Sequence, residues 1–257
     1  MVWLNNKSDF VATGTPGLDE LLGGGIPRGH TVSVFGGPGS GKTTFALQFL
    51  YNGATKYDEP GLFVSLDESP SLIKRHVHPF GWNLDDLEKR KKFIILDASP
   101  LEYISSVAKI GVGPGVRLGS LSASSLTSAI KTGIDKIVAK RLVIDPMSML
   151  LFQYPDVNER RKAVSTLIRT LRKETGCTSL LIMDLRAVTL ERKYQPEEYL
   201  TEGTILFQTI AQPEIGLTRV IHIEKMRDTD RDTQPHPYRI TNQGIQVFPK
   251  EKIYAFQ

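Results

Sequence analysis

Residues Gly36 to Thr43 read GGPGSGKT and fit G-x-x-x-x-G-K-[ST]. The β-prone run Thr31–Phe35 (TVSVF) precedes them and Thr44–Leu50 (TFALQFL), a helix-like run, follows. Strand, glycine loop and helix in that order constrain this chain more than any other feature. Small residues let backbone amides turn inward, and a helix start adds its positive end, which together make a phosphate cradle. Gly37, Pro38, Gly39, Ser40 and Gly41 form the loop, and Lys42, Thr43 and Thr44 open the helix. Lys42 is placed to reach the β and γ phosphates and Thr43 to hold Mg²⁺, so the expected ligands are ATP and Mg²⁺.

The 257 residues, 40% of them hydrophobic, are enough for one large α/β domain with a buried core. No run of 18 apolar residues occurs, and MVWLNNKSDF lacks the basic-then-apolar order of a secretory signal. Cys177 is the single cysteine, so no intramolecular disulfide can form, and a reducing, cytoplasmic setting is expected with no membrane partner. The net charge of +4 allows nucleic acid or an acidic protein partner but demands neither. His76 and His78 form an H-x-H pair with no further ligand set around it, which reads as a solvated helix face.

Residues 13–29, TGTPGLDELLGGGIPRG, supply a turn, a short helix carrying Leu18, Leu21 and Leu22, and a glycine–proline turn into the loop strand. By composition this is packing. The pattern Thr-Gly-x-x-x-Leu-Asp-x-Leu-Leu-Gly-Gly-Gly-Ile-Pro-x-Gly ahead of such a loop, however, resembles the opening of the RecA superfamily, in particular its RadA and KaiC branches. The stretch 69–100, with Phe80-Gly81-Trp82, Leu84–Leu87 and Phe93–Asp97 before Ala98-Ser99-Pro100, is more similar to KaiC than to RadA.

Leu62–Leu66 reads as a buried strand ending in Asp67 and Glu68, where parallel α/β sheets place their ligands. The same acids could merely favour the start of the helix at Ser69-Pro70. The resemblance implies that a carboxylate here activates the attacking water, with Asp67 in place of a glutamate and Glu68 matching. Arg141–Asp145 (RLVID) is a strand ending in an acid; Asp145 would bind Mg²⁺ through water opposite Thr43. Pro146 follows it, so the base must come from Asp67 or Glu68.

Ser99–Ser120 is glycine-rich and reads as a surface loop, without the helix that a second phosphate site would need. Ile130, Ile134, Ile137 and Val138 continue a helix from Leu126 to Lys140, and Val164, Leu167, Ile168 and Leu171 mark another over 158–175 with a charged outer face. The strand Cys177–Met183 ends at Asp184 and Arg186, near the γ-phosphate in RecA-like sheets, where Asp184 replaces a neutral residue. Leu185–Tyr199 reads as a loop, which touches DNA in recombinases and faces the channel in KaiC rings.

The resemblance to the kinase half of KaiC places Glu198 and Tyr199 where that family carries phosphate acceptors, leaving Thr201 as the nearby hydroxyl. The strand Arg219–Lys225 runs into Met226-Arg227-Asp228-Thr229, similar to the family's Lys-x-Arg-Gly-Thr. This implies that Lys225 and Arg227 reach a neighbouring subunit's ATP, with Asp228 in place of glycine. Pro237–Phe248 reads as a closing hairpin turning at Asn242–Gly244; the resemblance puts Thr241 and Asn242 beside a neighbour's nucleotide base.

The expected fold is α/β, a RecA-like P-loop NTPase core with a mostly parallel central sheet flanked by helices and a C-terminal antiparallel β extension. Residues 1–12 would precede a 13–250 ATPase domain, and 251–257 would form a tail. The function implied is a KaiC-like ATPase hydrolysing Mg-ATP at subunit interfaces of a homo-oligomeric, hexameric ring, in a regulatory role with ATP, ADP and a protein partner. Two alternatives stand beside it: a RadA-like DNA-binding paralogue using Arg186, Arg192, Lys193 and Tyr194 or Tyr199, and an autokinase-type switch.

Overall fold

The computed structural model describes residues 7–99, 122–185, 196–212, 216–251 and 253. Among them a nine-stranded sheet runs in the order β11-β10-β9-β8-β3-β7-β6-β4-β5. Its strands are β3 (Thr31–Gly36), β4 (Gly61–Ser65), β5 (Phe93–Asp97), β6 (Arg141–Asp145), β7 (Thr178–Asp184), β8 (Gly203–Gln212), β9 (Gly216–Met226), β10 (His236–Thr241) and β11 (Gly244–Val247). From β8 to β5 all neighbours pair in parallel, whereas β9, β10 and β11 add on antiparallel. A separate two-stranded ribbon joins β1 (Phe10–Val11) to β2 (Ile26–Pro27). The expected sheet with its antiparallel extension is the one found.

Both faces of the parallel strands are apolar, and successive residues point to opposite sides. Phe63, Val143, Leu180 and Ile182 enter one core; Leu62, Val64, Leu142, Ile144, Leu181 and Met183 enter the other. The first core is covered by α1 (Leu18–Leu21), α2 (Lys42–Lys56), α3 (Pro70–Val77) and α4 (Leu84–Lys89), the second by α5 (Ala123–Ile137), α6 (Met147–Leu151) and α7 (Val157–Glu174). Ser122 starts α5 with a capping box, and Asp156 caps α7 by accepting from Asn158 and Glu159 amides. The α5 helix stops at Ile137 rather than Lys140, because Val138 turns left-handed at φ 53° and Lys140 bonds back to the Pro60 carbonyl.

The motif at 13–29 is held by specific bonds. Thr13 N donates to Asp19 Oδ1 at 2.7 Å and Asn52 Nδ2 to Gly14 O at 2.8 Å, which fastens the segment to α2. Burial pushes the Asp19 carboxyl up. Cys177 is buried and free. Among the described residues no helix is long and apolar enough to cross a membrane. The glycine-rich run at 111–119, Arg186, Arg192, Lys193 and Tyr194 lie outside the described residues.

Candidate nucleotide site

Parallel register brings four strand ends to one edge. Gly36 at the end of β3 lies opposite Asp184 of β7, and Ser65 of β4 lies opposite Asp145 of β6. The phosphate loop, Asp184, Asp145 and the Asp67–Glu68 pair therefore follow one another across β3, β7, β6 and β4. Ligands gather at this edge in open α/β sheets because the loops leaving the strand ends form a crevice there.

The loop Gly37–Gly41 turns into α2 with Gly39 at φ 71° and Gly41 at φ 92°, where a side chain would be strained. A Cβ built on Gly37 or Gly39 meets nothing within 4 Å, so the space over the loop is open. Lys42 Nζ donates to Gly36 O at 2.7 Å and Gly37 O at 3.1 Å and lies 3.5 Å from Asp184 Oδ1. The other oxygen of Asp184 accepts from Ser148 Oγ at 2.7 Å. Thr43 Oγ1 donates to Asp145 Oδ2, also at 2.7 Å. Burial raises the Asp145 carboxyl to about 6 against the Thr43 hydrogen bond and Lys42, which lower it. A hydroxyl and a carboxylate at this separation are hard oxygen donors of the kind Mg²⁺ takes, so the pair fits that ion.

At the end of β4, Ser65 Oγ accepts from Glu68 N at 3.1 Å and donates to Glu68 O at 2.6 Å, pinning the backbone of the turn. Asp67 points into solvent, whereas Glu68 is half-buried and its charge acts on Asp145. His76 Nδ1, from α3, stands 3.2 Å from Glu68 Oε2.

The closing hairpin packs on the loop of its own chain. Tyr238 OH donates to Ser40 O at 2.5 Å, and Gln48 of α2 exchanges two hydrogen bonds with the Ile245 backbone. A Cβ on Gly41 would come within 2.9 Å of Ile240 Cδ1. Thr241 pairs with Gly244 at the turn of this hairpin, and Ile240 and Ile245 beside it lie against Gly41. Thr241 Oγ1 is engaged within the turn, donating to Gly244 O at 3.0 Å and accepting from Gln243 N at 3.1 Å.

The family model described as "ATPase: KaiC" matches residues 11–252. A UPF0273 protein of Thermotoga maritima is 32% identical over 242 residues, covering 94% of this chain and 96% of the relative. The chain belongs to the KaiC family of RecA-superfamily ATPases. The circadian clock oscillator protein KaiC of Prochlorococcus marinus is 35% identical over 247 residues, 93% of this chain but 46% of that protein, so the chain spans about half the length of such relatives. The crystal structure of the KaiC-like protein PH0186 from Pyrococcus horikoshii superposes with a TM-score of 0.77 at 34% identity, covering 93% of this chain and 99% of that one.

In this KaiC-family chain Lys225 and Arg227 lie at the opposite sheet edge. Arg227 N bonds Glu202 O, and Glu202 N bonds Thr31 O at the start of β3. The length of β3, roughly 16 Å at about 3.3 Å per residue, separates that level from the phosphate loop. Arg227 is exposed; Lys225 Nζ donates to the carbonyls of Glu198 and Thr201, and burial lowers its pKa. Asp228 adopts φ 61°, the left-handed backbone for which glycine is usual, and its carboxylate lies 3.2 Å from His30 Nε2. The turn therefore keeps its shape without the glycine. Thr201 is fully buried, accepts from Ser33 Oγ and donates to Gly203 O, so its hydroxyl is not presented as a phosphate acceptor.

Sequence reasoning missed three groups at the site. His76 reads as a surface residue of an amphipathic helix, and its nearness to Glu68 depends on how α3 packs against α2 and β5. Ser148 and Tyr238 carry no motif signal; each meets the site only through long-range packing.

Proposed function

We propose that this KaiC-family chain binds Mg-ATP on its phosphate loop and hydrolyses it with residues from a second copy, within a ring that the family resemblance makes hexameric. One observation carries the reading: Lys42, Thr43, Asp145 and Glu68 share one sheet edge, while Arg227 stands at the other, too far to serve its own loop. Lys42 holds the β and γ phosphates, and the Gly37–Gly41 amides orient them. Thr43 and Asp145 would hold the metal, which neutralises charge on the phosphates when bound. Glu68, rather than the solvent-turned Asp67, takes a proton from water as its oxygen bonds to the γ-phosphorus and the bond to the bridging oxygen breaks. ADP and inorganic phosphate leave, and the proton passes to solvent.

Charge spreads over the equatorial oxygens in a loose phosphoryl-transfer transition state, and a second cation stabilises it. Arg227, with Lys225 beside it, supplies that cation to the neighbouring subunit. Thr241 and Asn242, at the turn of the closing hairpin, lie beside the nucleotide base of the neighbouring subunit, as the family resemblance implies. The output is a nucleotide-dependent state read by a protein partner, in keeping with relatives named for a clock oscillator; neither DNA nor self-phosphorylation is needed for it.

The test is turnover and nucleotide binding by the full chain, with subunit mixing. Lys42→Ala loses ATP binding; Arg227→Ala keeps it within a few fold and loses turnover. Mixing the two inactive variants restores part of the activity, because some interfaces pair an intact loop with an intact arginine. Normal turnover by Arg227→Ala, or no recovery on mixing into confirmed hetero-oligomers, overturns the assignment in trans.

A further inference from the structure

Glu68 has two unequal carboxylate oxygens. The side chain as a whole is 37% exposed, yet Oε2 is shut off from solvent and accepts no hydrogen bond. Removing a carboxylate oxygen from water without a partner is costly. The group placed to offset that cost is His76, whose Nδ1 lies 3.2 Å away. Lys74, on the same helix, is already taken by Asp85 at 2.7 Å and Glu88 at 2.6 Å.

The imidazole is held from a rigid base. The α3 helix starts at Pro70 and buries Ile73 and Val77 in the core between it, α2 and β5, while the Glu68 backbone is fixed by Ser65. The backbones on both sides of the ion-pair contact are therefore fixed, and the side-chain torsions of Glu68 and His76 are the part left to set. With His76 beside the buried Oε2, Oε1 is the oxygen that His76 leaves unengaged. Because the pair is partly exposed, its Coulombic attraction is screened and adds little to stability. Its effect lies in orientation.

We propose that His76 is a positioning residue for hydrolysis: its Nδ1–H, 3.2 Å from Glu68 Oε2 and not yet hydrogen-bonded to it, closes on that oxygen in the nucleotide-bound site and leaves Oε1 for the attacking water. This rests on the reading of Glu68 as the base. A donor at Nδ1 is the requirement, so a neutral side chain that places an N–H at the same point serves the same purpose. Asparagine does so with its amide nitrogen; alanine does not.

The experiment compares the full chain with His76→Ala, His76→Asn, Glu68→Gln and the His76→Ala/Glu68→Gln pair, measuring kcat, KM for ATP, thermal stability and affinity for ADP with and without aluminium fluoride. His76→Ala is expected to lower kcat about tenfold with KM within about twofold, as misplacing a catalytic group does. Affinity for ADP with aluminium fluoride, which mimics the transferring phosphoryl group, falls by a similar factor while ADP alone binds unchanged and the melting temperature holds. His76→Asn recovers most of the loss, and His76→Ala adds nothing once Glu68 is glutamine. Unchanged kcat in His76→Ala, a change confined to KM, no rescue by asparagine, or an equal loss in the Glu68→Gln background overturns the role of His76. Wild-type turnover by Glu68→Gln instead overturns the reading of Glu68 as base.

Discussion

Thr43 Oγ1 donates a 2.7 Å hydrogen bond to Asp145 Oδ2, tying the first turn of the phosphate-loop helix to the end of β6 across 102 residues of sequence. The residues proposed to hold a metal ion and its nucleotide are thereby packed against each other in the protein alone. Asp145 is buried among other acids, Glu68 and Asp184, which raise its pKa further.

That burial sets a pH dependence for the metal-free and nucleotide-free protein. The Asp145 carboxyl titrates near 6 in the folded chain, against 3.8 for an unperturbed aspartate. Between these values the folded chain holds a proton that the unfolded chain has lost, so the stability contributed by this group is full below the lower value and falls as pH rises through the upper one. The loss is on the order of 3 kcal/mol at most. Urea denaturation with EDTA from pH 4 to 8 should show Asp145→Asn flattening this slope and gaining stability at the alkaline end, while it weakens Mg-ATP binding. An unaltered slope would place the pH dependence elsewhere.

Tyr238→Phe removes the donor to Ser40 O while keeping the ring against Phe207, whose centroid is 5.1 Å away. The expected cost is about 1–2 kcal/mol, the penalty of leaving a buried carbonyl without its partner. Because that carbonyl belongs to the phosphate loop, ATP affinity should fall several fold in a fluorescence titration. A stability loss with unchanged affinity would separate the tether from the site.

Arg141 is the largest fully buried side chain among the described residues. It pairs with Glu59 at 2.7 Å, donates to Phe49 O at 2.8 Å and lies 4.5 Å from the Phe49 ring centroid. Arg141→Ala leaves Glu59 largely buried and without this cation, for an expected loss of about 3–5 kcal/mol. Arg141→Met with Glu59→Gln removes both charges and should cost less than Arg141→Ala alone, as read from chemical denaturation midpoints.

Asp228 tests backbone against charge. Its side chain is 53% exposed, so the contact to His30 is worth little, whereas φ 61° disfavours branched residues strongly. Asp228→Gly should leave stability within about 0.5 kcal/mol, and Asp228→Val should cost about 1–2 kcal/mol, both read from urea denaturation. If turnover depends on Arg227, Asp228→Val lowers it as well, since the turn presents that arginine.

Local pattern was enough to place most elements. The run Thr31–Leu50 determined strand, phosphate loop and helix because each is decided by neighbours a few residues apart. The alternation of apolar residues marked the buried strands, and acids at the ends of β4 and β6 marked candidate ligands. The proposed choice of Glu68 over Asp67 was not legible, since adjacent residues of equal chemistry point in different directions only once Ser65 closes the turn. His76 was not legible either, because its partner is eight positions away on a different element.

By itself the sequence determined the chemistry available: a phosphate cradle, a hydroxyl and a carboxylate for a metal, an acid pair and two late cations. The tertiary structure decided which of these meet. Strand order and register are long-range properties, set by burying both faces of a parallel sheet under helices. Once β3, β7, β6 and β4 are aligned, Lys42, Thr43, Asp145 and Glu68 come to one edge, and Arg227, tied to the start of β3 through Glu202, goes to the other.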